Sequence, residues 1–344
     1  MATAPTVIMD LSPIVRTDGY NDWRLVELVV KAWQKSEPEA VFFGVADRSL
    51  FRQMDEAGKQ SLRRWQRTGR ALVVPWADPD ILRLATENPT AAVLTRDLYR
   101  DMRKEYPWLQ NSDRLYSPVF TRDEVRFRRN DMTAIADHEV SRFVEASDLK
   151  PLGINSPEAR QALLAEWACD TLTCLWGQSA VIETDPAFRD GHVRCPVCRQ
   201  PARRVGDRGR TCEIVLSVGG MEVERIPLVE GARIVFGRGR GEDRYDVREL
   251  LDDDTATLVS RDHLALLNVG GKVRAEELGS KNGSALIREA QAPAPLALGI
   301  QQVLLPGQRV SLAEGAVELR PSGKQRPHGR YARDLSSPPP WAGK

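Results

Sequence analysis

The first 120 residues alternate short, fully apolar runs with segments of helical periodicity. Runs that are apolar at every position are typical of strands buried on both faces, and their alternation with helices indicates a parallel sheet covered by helices. The predicted strands are 7–9, 40–45, 71–74, 91–94 and 115–120, and the predicted helices are 23–33, 49–67, 81–87 and a segment that follows 95–97 and runs to 106. We therefore predict an N-terminal α/β domain over residues 1–120.

Residues 121–168 have a different pattern and are predicted to be a helical connector. Helical periods cover 131–145 and 156–168, the second with Ser156 as N-cap and Pro157 directly behind it. The segment opens with the basic sequence TRDEVRFRRND at 121–131. Two interpretations stay open for these arginines: contact with a nucleic-acid backbone, or a solvated face paired with the neighbouring acidic residues.

From residue 211 onward, short alternating runs are separated by turns rich in glycine and polar residues. Many short strands with frequent turn signals predict a β-sandwich. The predicted strands are 213–218, 223–228, 232–236, 263–269, 272–276, 303–305, 309–312 and 316–319. Residues 323–344 are polar and rich in proline, which predicts a disordered tail.

Composition adds few constraints. The chain has 344 residues and a formal net charge of +1, so no global electrostatic field favours nucleic acid or membrane as a partner. No apolar run approaches the roughly 20 residues that a membrane-spanning helix needs. The N-terminal sequence lacks the basic flank and apolar core of a signal peptide. We expect a cytoplasmic protein without a membrane partner.

Four of the five cysteines lie close together in the chain. Cys169, Cys174, Cys195 and Cys198 form a C-x4-C pair and a C-x2-C pair separated by twenty residues. Paired spacing of this kind favours a metal site in a reducing compartment over disulfides. Four thiolates suit Zn²⁺ and close its tetrahedral shell, so the predicted cofactor is a structural zinc ion. The segment 169–211 resembles a zinc ribbon; its many arginines contact nucleic acid on one interpretation and keep the module soluble on the other.

Carboxylates follow several of the predicted strands. Asp10, Asp47 and Asp97 each come just after a strand, and Asp78 opens a helix. On the predicted helix, Asp97 and Asp101 are four residues apart and share one face. Carboxyl ends of parallel strands form the site edge of such sheets, and clustered carboxylates repel one another unless protons or a divalent cation neutralise them. Mg²⁺ or Mn²⁺ is the expected partner. As an alternative, each aspartate on its own is a helix cap or a solvated residue.

Three stretches of this domain carry a resemblance to a known family. They are VIMDLSPIV at 7–15, ADPDILRLA at 77–85 and AAVLTRDLYRDM at 91–102. Residues 6–120 resemble an NYN domain of the PIN-like nuclease superfamily, close to the Regnase type of ribonuclease. The resemblance implies metal-dependent endonucleolytic cleavage of RNA. The positions that fall on the family's acidic metal site are Asp10, Asp78, Asp97 and Asp101.

Two residues depart from this family pattern. Pro13 stands where the family has the asparagine of its first motif, and Ala77 replaces the first member of an acidic pair. The implied Mg²⁺ or Mn²⁺ site, with Asp10 and Asp97 as ligands, keeps four carboxylates. A second hypothesis follows from the departures: a non-catalytic adaptor in which a degenerate nuclease fold binds nucleic acid.

The sandwich region carries three further motifs in a fixed order. FGRG at 236–239, SRDHLAL at 260–266 and LGSKNGS at 278–284 resemble the pattern of a forkhead-associated (FHA) domain over residues 212–322. FHA domains bind phosphothreonine peptides through loops at one end of a β-sandwich. The resemblance implies that Asn282 holds the peptide backbone and that His263 braces the loops. By motif position, the phosphate would be contacted by Arg238 and Ser260, with help from Arg261 and Lys281.

The sequence thus predicts a multidomain protein: an α/β PIN-like domain with a parallel sheet, a zinc ribbon and an all-β FHA sandwich. The leading hypothesis is a Mg²⁺- or Mn²⁺-dependent endoribonuclease that is recruited or regulated through a threonine-phosphorylated partner. A Ser/Thr kinase would then control its location or activity. The alternative is the non-catalytic adaptor that binds nucleic acid and a phosphorylated protein.

Overall fold

The computed structural model describes residues 4–17, 20–122, 124–178 and 185–324. Most of the predicted tail, from residue 325 to 344, lies outside the described residues. The chain divides into two compact units, Met1–Ile135 and Ala136–Lys344. Each unit is described separately below.

The N-terminal unit is built on a six-stranded sheet with the strand order β5-β4-β1-β6-β7-β8. All neighbours are parallel except the last pair, β7 and β8. The parallel sheet that the sequence predicted is therefore present. The strands of this unit are β1 (Val7–Asp10), β2 (Arg16–Thr17), β3 (Tyr20–Asn21), β4 (Phe42–Asp47), β5 (Ala71–Val74), β6 (Ala92–Leu94), β7 (Leu115–Phe120) and β8 (Val125–Arg129).

Helices cover both faces of this sheet. Val7 and Met9 of β1 belong to one apolar cluster and Ile8 between them belongs to another, so successive side chains of the strand are buried on opposite faces. The helices are α1 (Leu11–Val15), α2 (Arg24–Trp33), α3 (Arg48–Gln53), α4 (Glu56–Arg67) and α5 (Ala77–Glu87), with a 3₁₀ turn at Pro107–Leu109. This arrangement leaves the carboxyl ends of β1, β4, β5 and β6 at one edge, which is where the polar residues gather.

Two elements of this unit differ from the sequence predictions. The basic segment after residue 121 contains β8, which pairs antiparallel with β7 and packs Phe127 edge-on against Trp33 at a centroid distance of 4.7 Å. The helix predicted from residue 97 to 106 is wrong: the segment is a series of turns. Tyr99 has a φ of 46°, a left-handed conformation that no helix accommodates.

The C-terminal unit begins with the helical connector, in which α6 (Asp137–Leu149) and α7 (Pro157–Gln161) are joined through 3₁₀ turns at Lys150–Leu152 and Ala162–Leu164. Ser156 caps α7 as predicted, accepting a hydrogen bond from the Ala159 amide. The predicted continuation to residue 168 is wrong, because Ala165–Ala168 is a strand, β9, that pairs with Arg203–Asp207.

The cysteine segment consists of short paired strands around the four thiols. Its elements are α8 (Leu175–Gln178), β10 (Ala187–Arg189), β11 (His192–Arg194) and β12 (Arg203–Asp207). β10 pairs with β11, and β12 pairs with β9. The ribbon-like module therefore starts at Ala165, before the first cysteine.

Two sheets form a β-sandwich with one shared apolar core. One sheet has the order β14-β13-β23-β22-β19-β20 and the other β16-β15-β17-β18-β21. The strands are β13 (Cys212–Val218), β14 (Met221–Leu228), β15 (Arg233–Gly237), β16 (Arg244–Asp246), β17 (Leu264–Val269), β18 (Lys272–Glu277), β19 (Ala285–Ile287), β20 (Ala294–Pro295), β21 (Gln302–Val303), β22 (Arg309–Leu312) and β23 (Val317–Pro321), with α9 (Asp253–Thr257) and 3₁₀ turns at Val247–Leu250 and Ala313–Gly315. The predicted all-β sandwich is present.

The connector helix α6 packs against this sandwich. Arg320 of β23 lies 3.1 Å from the Asp137 carboxylate, and the Arg142 guanidinium donates to the carbonyl of Gly323. Gly323 has a φ of 93° and no room for a side chain, because a Cβ would lie 2.3 Å from the His138 carbonyl. In the described part of the chain, no helix is both long and apolar enough to span a membrane.

Candidate functional sites

Asp10 and Asp47 are the last residues of neighbouring strands β1 and β4. Both cap the helix that follows: Asp10 accepts from the Ser12 amide at 3.3 Å and Asp47 from the Leu50 amide at 2.8 Å. The Ser12 hydroxyl also donates to Asp47 at 2.7 Å, which links the two strand ends. Both residues are therefore helix caps, which was the alternative interpretation of the sequence. Each cap uses one carboxylate oxygen for the amide and leaves the second oxygen for other contacts.

Asp10 is 5% exposed, and its second oxygen accepts a hydrogen bond from the Thr95 hydroxyl at 3.0 Å. Burial raises the pKa of Asp10 to about 7, and the negative charges of Asp78 and Asp97 add to the effect. Burial and the neighbouring like charges both disfavour the ionised form of this carboxylate. The sequence interpretation assigned no role to Thr95. Its position directly after β6, at the same edge as Asp10, could have indicated one.

Asp78 is the second residue of α5 rather than its cap, which is Trp76. The indole N–H of Trp76 donates to the Asp78 carboxylate at 2.9 Å. Burial raises the pKa of Asp78, as do the charges of Asp97, Asp101 and Asp47. The four aspartates named in the sequence thus lie close enough to repel one another electrostatically.

Asp97 and Asp101 reach this edge through turns rather than through one helix face. The exposed Asp97 carboxylate accepts a hydrogen bond from the Tyr99 amide at 2.8 Å, and Asp101 is half-buried. Within the described ranges, the four cysteines alone form a group whose ligand atoms all lie within 4.8 Å of one another. The carboxylates form a wider cluster, whose charges act on one another but whose oxygens do not converge this closely.

The two residues that depart from the family pattern, Pro13 and Ala77, both lie in the first turns of helices. Pro13 is the third residue of α1, and Ala77 is the first residue of α5, where it is 4% exposed and packs in the core with Ile8. Neither side chain carries a metal ligand. A metal ion at this edge would therefore depend on the aspartates that the sequence already named.

We expect Asp10→Asn to stabilise the N-terminal unit in a chelating buffer at pH 8. Because burial raises the pKa of Asp10 from 3.8 to about 7, ionising this group removes stability progressively as the pH rises between those values. One pH unit corresponds to about 1.4 kcal/mol. The free energy of unfolding of the variant should therefore exceed that of the wild type by at most roughly 4 kcal/mol above pH 7, and by almost nothing at pH 4. Thermal unfolding of the wild type and the variant at pH 4 and pH 8 measures this stability difference. The same difference at both pH values would contradict the prediction.

The four cysteines form a compact group. Cys169 Sγ lies 3.5 Å from Cys198 Sγ, and Cys174 Sγ lies 3.5 Å from Cys195 Sγ. A disulfide has a sulfur–sulfur distance of about 2.05 Å, so the thiols are not bonded to one another. Tetrahedral Zn²⁺ with bonds of about 2.3 Å separates its sulfur ligands by roughly 3.8 Å. The group fits a metal ion such as zinc.

The surroundings of the thiols agree with a closed structural site. Cys169, Cys174 and Cys195 are buried and Cys198 is half-buried, and Trp176 packs against them. The Cys198 amide points at the Cys195 sulfur at 3.4 Å, the kind of contact that stabilises a thiolate. His192 is exposed and lies outside the group, and Cys212 lies at the start of β13, away from it.

Elemental analysis is expected to find one zinc per chain, with the metal lost and the cysteine module destabilised in Cys174→Ser. Structural zinc sites supply on the order of 10 kcal/mol of binding free energy in small modules, so the paired strands around the thiols should melt without it. Cys212→Ser is the matched control and should keep the full zinc content. A folded wild-type protein without zinc would contradict the assignment.

Three loops at one end of the sandwich carry the FHA-like motifs; we call them the phosphate loops. They are the loop that begins at Arg238 after β15, the loop 258–263 before β17 and the loop 278–284 between β18 and β19. The amides of Arg238 and Gly239 donate to the carbonyls of Ser260 and Arg261, at 3.0 and 2.9 Å. Gly237 permits this approach, because a Cβ there would lie 2.2 Å from the Arg261 carbonyl.

His263 is fully buried behind these loops, in the bracing position that the sequence predicted. Its Nδ1 accepts a hydrogen bond from the Ser260 amide at 3.1 Å, and its Nε2 lies 3.0 Å from the Gly283 carbonyl. Since Nδ1 accepts, Nε2 carries the proton and donates to that carbonyl. The imidazole therefore joins the second loop to the third.

The residues predicted to contact phosphate belong to loops that meet at Ser260. The Lys281 amide donates to Ser260 Oγ at 2.9 Å, so the hydroxyl proton remains to donate outward. The side chains of Arg238, Arg261 and Lys281 are exposed. Among the described residues, none of these three cations is paired with a carboxylate, whereas nearby Arg240 and Arg244 are.

The third loop is held by Asn282, which the sequence interpretation named, and by Glu277, which it did not. Buried Glu277 accepts hydrogen bonds from the Ser280 amide at 2.7 Å and from the Ser284 hydroxyl. Asn282 donates to the Leu258 carbonyl at 2.8 Å, which leaves its side-chain oxygen to accept from a peptide N–H. Gly283 has a φ of 70°, the left-handed conformation expected of it. Glu277 directly precedes the LGSKNGS motif. An acidic residue at an inward-facing strand position is the sequence signal that could have identified it.

Comparisons with known proteins concern about a third of the chain. A structure from a study of phosphothreonine-dependent FHA domain interactions is 25% identical, with 34% of this chain and 97% of that chain covered and a TM-score of 0.24. The FHA domain of human APLF in complex with an XRCC1 bisphospho peptide is 24% identical, with coverages of 31% and 97% and a TM-score of 0.24. The FHA domain of the CT664 protein from Chlamydia trachomatis is 21% identical, with coverages of 32% and 94% and a TM-score of 0.24. No protein-family model and no curated protein matched the chain.

Because these TM-scores are far below 0.5, functional conclusions for this chain depend on its own motifs and contacts. Those contacts define a multidomain protein with a parallel sheet, a group of four cysteines that fits a metal ion, and an all-β sandwich.

Proposed function

We propose that the sandwich binds phosphothreonine peptides at the phosphate loops. The observation that carries the proposal is that three exposed cations with no carboxylate partner, within the described part of the chain, lie on loops whose backbones meet at Ser260. Backbone contacts between the loops fix this arrangement before a ligand arrives. The site is therefore preorganised for one compact anion.

The chemistry of the loops matches a phosphate dianion. Arg238 supplies a guanidinium fork, Ser260 a hydroxyl donor, and Arg261 and Lys281 further positive charge. Hydrogen bonds between charged donors and phosphate are the strong kind, and recognition of phosphorylated motifs by arginine clusters follows this pattern. The Asn282 amide would then hold the peptide main chain beside the phosphate.

Matched peptides test this function directly. A library with phosphothreonine, phosphoserine or unmodified threonine at a fixed position should show binding to the full-length protein only for phosphorylated members, with phosphothreonine preferred. Addition of inorganic phosphate should compete. Equal binding of phosphorylated and unmodified peptides would refute the proposal.

As a second function, the carboxylate edge of the N-terminal unit is proposed to cleave RNA with the aid of Mg²⁺ or Mn²⁺. Asp10 supports this proposal, because a cation would stabilise the charged form of a carboxylate that is buried at a central strand end and subject to the negative charges of Asp78 and Asp97. Asp10 and Asp97 would hold the ion, and Asp78 and Asp101 would complete its surroundings. Bound metal would supply an activated water and neutralise the leaving oxygen of a phosphodiester.

Cleavage of labelled single-stranded RNA in Mn²⁺, compared with the same reaction in a chelator, tests this second function. Metal-dependent fragments support it. If the wild-type protein at high concentration leaves the RNA intact, the alternative stands: a non-catalytic adaptor in which the N-terminal unit binds nucleic acid. In both cases the sandwich would bring the chain to a threonine-phosphorylated partner under the control of a Ser/Thr kinase.

A further inference from the structure

A surface segment next to the third phosphate loop carries no charge. Residues 290–308 contain no charged side chain, although charged residues make up 28% of the chain. Within this segment, residues 297–300 are exposed, and they include Leu298 at 69% and Ile300 at 62% exposure. We call residues 297–300 the apolar tip. Neighbouring exposed apolar side chains in a charge-free segment are typical of a contact surface.

Backbone hydrogen bonds attach the apolar tip to the third phosphate loop. The Gly299 amide donates to the Glu277 carbonyl at 2.9 Å, and the Leu296 amide, just before the tip, donates to the Ser284 carbonyl at 2.9 Å. Glu277 directly precedes the third loop, and Ser284 is its last residue. The tip and the loop therefore form one hydrogen-bonded framework, which is preorganised for a ligand that touches both.

The Leu298 side chain reaches the third loop itself. Its Cδ1 atom lies 3.4 Å from the position that a Cβ would occupy at Gly279. Gly279 is two residues from Lys281, and two residues of extended chain span at most about 7 Å. The leucine side chain therefore lies within about 12 Å of the Lys281 backbone. An extended peptide advances about 3.3 Å per residue, so this distance corresponds to at most about four residues of a bound peptide.

We infer that the apolar tip binds an aliphatic or aromatic side chain of the phosphopeptide, within about four residues of the phosphothreonine. This inference rests on the proposed phosphothreonine binding and adds a class of partner: phosphorylated segments with a large apolar residue near the modified threonine. The charge-assisted contacts to phosphate are the same for every phosphothreonine. Contact with the tip would distinguish one phosphorylated segment from another.

The small size of the apolar tip favours a peptide side chain over a second folded protein. Stable protein interfaces bury roughly 800 Å² on each partner, far more than two exposed side chains offer. A peptide that is already held at its phosphate needs only a small further contact. Leu298 and Ile300 match one large apolar side chain of such a peptide.

Phosphothreonine peptides test the inference with the full-length protein. Leucine, phenylalanine, alanine or serine is placed in turn at each of the four positions on either side of the phosphothreonine. At one of these positions, the leucine or phenylalanine peptide should bind roughly 5- to 10-fold more tightly than the alanine peptide, the equivalent of about 1.0 to 1.4 kcal/mol. The double variant Leu298→Ser, Ile300→Ser should lose this preference and bind the alanine peptide like the wild type.

Leu305→Ser is the matched control. Leu305 belongs to the same charge-free segment and is 55% exposed. It lies away from the phosphate loops, because the Leu304 amide before it donates to the Val273 carbonyl near the start of β18, whereas the third loop follows the end of that strand. This variant should keep the apolar preference of the wild type.

Three results would overturn the inference and leave the proposed phosphothreonine binding intact. The first is phosphothreonine binding by the wild type without any apolar preference. The second is equal loss of affinity for the leucine and alanine peptides in the double variant, because the tip would then act only through the phosphate loops. The third is a changed oligomeric state of the double variant with an unchanged peptide preference, which would assign the tip to contact with a second copy. Failure of the wild type to bind any phosphothreonine peptide would overturn both the inference and the proposed function.

Discussion

Arg238→Ala is expected to weaken phosphopeptide binding on the order of 100-fold, because one charge-assisted fork to the phosphate is lost and no other arginine replaces it in that loop position. Arg238 lies directly after β15, and its backbone is held by the Ser260 carbonyl. The fold should tolerate the change, since the side chain is exposed and its amide hydrogen bond is independent of the side chain. Isothermal titration with a phosphothreonine peptide, at constant ionic strength, measures the effect.

Arg240 offers a matched control two residues further along the same loop. Its side chain is 81% exposed, and its guanidinium lies 3.7 Å from Asp246, so its charge is already compensated. Arg240→Ala should change the dissociation constant by less than about threefold, as expected for an exposed charge at the rim of a site. If both variants lost the same affinity, the loop would act through its general positive charge and the assigned role of Arg238 would be wrong.

The sandwich and the parallel sheet could be predicted from the sequence because both follow from local patterns of apolar residues. Fully apolar runs such as 7–9 and 40–45 predict strands buried on two faces, and the structure has β1 and β4 there. The strand β8 was missed although its alternation is visible: Val125 and Phe127 pack inward while Arg126 and Arg128 are exposed. Four arginines in eight residues suggested a charged surface segment, although the alternation of apolar and charged residues is that of a strand.

Turns and helix ends were less predictable because distant residues decide them. The start of the loop after β6 is held by distant residues, since the Thr95 carbonyl accepts hydrogen bonds from Ser117 on β7 and from Asn130, which directly follows β8. The helix predicted over 156–168 ends early because Ala165–Ala168 pairs with β12, almost forty residues later. Helical propensity carries no information about such partners.

The candidate sites divide in the same way. Cysteine spacing and the three loop motifs name residues that the fold brings together, because each motif is a short pattern that is recognisable in the sequence by itself. The connections between motifs, such as Ser12 to Asp47 or Thr95 to Asp10, depend on which strands are neighbours.

Asp10→Asn should reduce metal-dependent RNA cleavage by at least about a thousandfold, the scale on which removal of one electrostatic contact to a developing charge reduces catalysis. Asp10 lies at the end of a central strand, nine-tenths or more buried, with Thr95 and Ser12 holding its carboxylate in place. The amide is nearly isosteric but uncharged, so the ion would lose its most rigidly held ligand while the fold keeps its cap. Single-turnover cleavage of labelled RNA in Mn²⁺ is the measurement.

Asp80→Asn provides the control, because Asp80 lies two residues from Asp78 on α5 and its carboxylate pairs with Arg83 at 3.1 Å instead of facing the edge. This variant should cleave RNA at a rate close to that of the wild type, and both variants should bind phosphothreonine peptide normally. Cleavage that survives in Asp10→Asn would exclude the carboxylate edge as the catalytic site. Loss of cleavage in Asp10→Asn with intact peptide binding would separate the two functions: hydrolysis at the sheet edge and recognition at the phosphate loops.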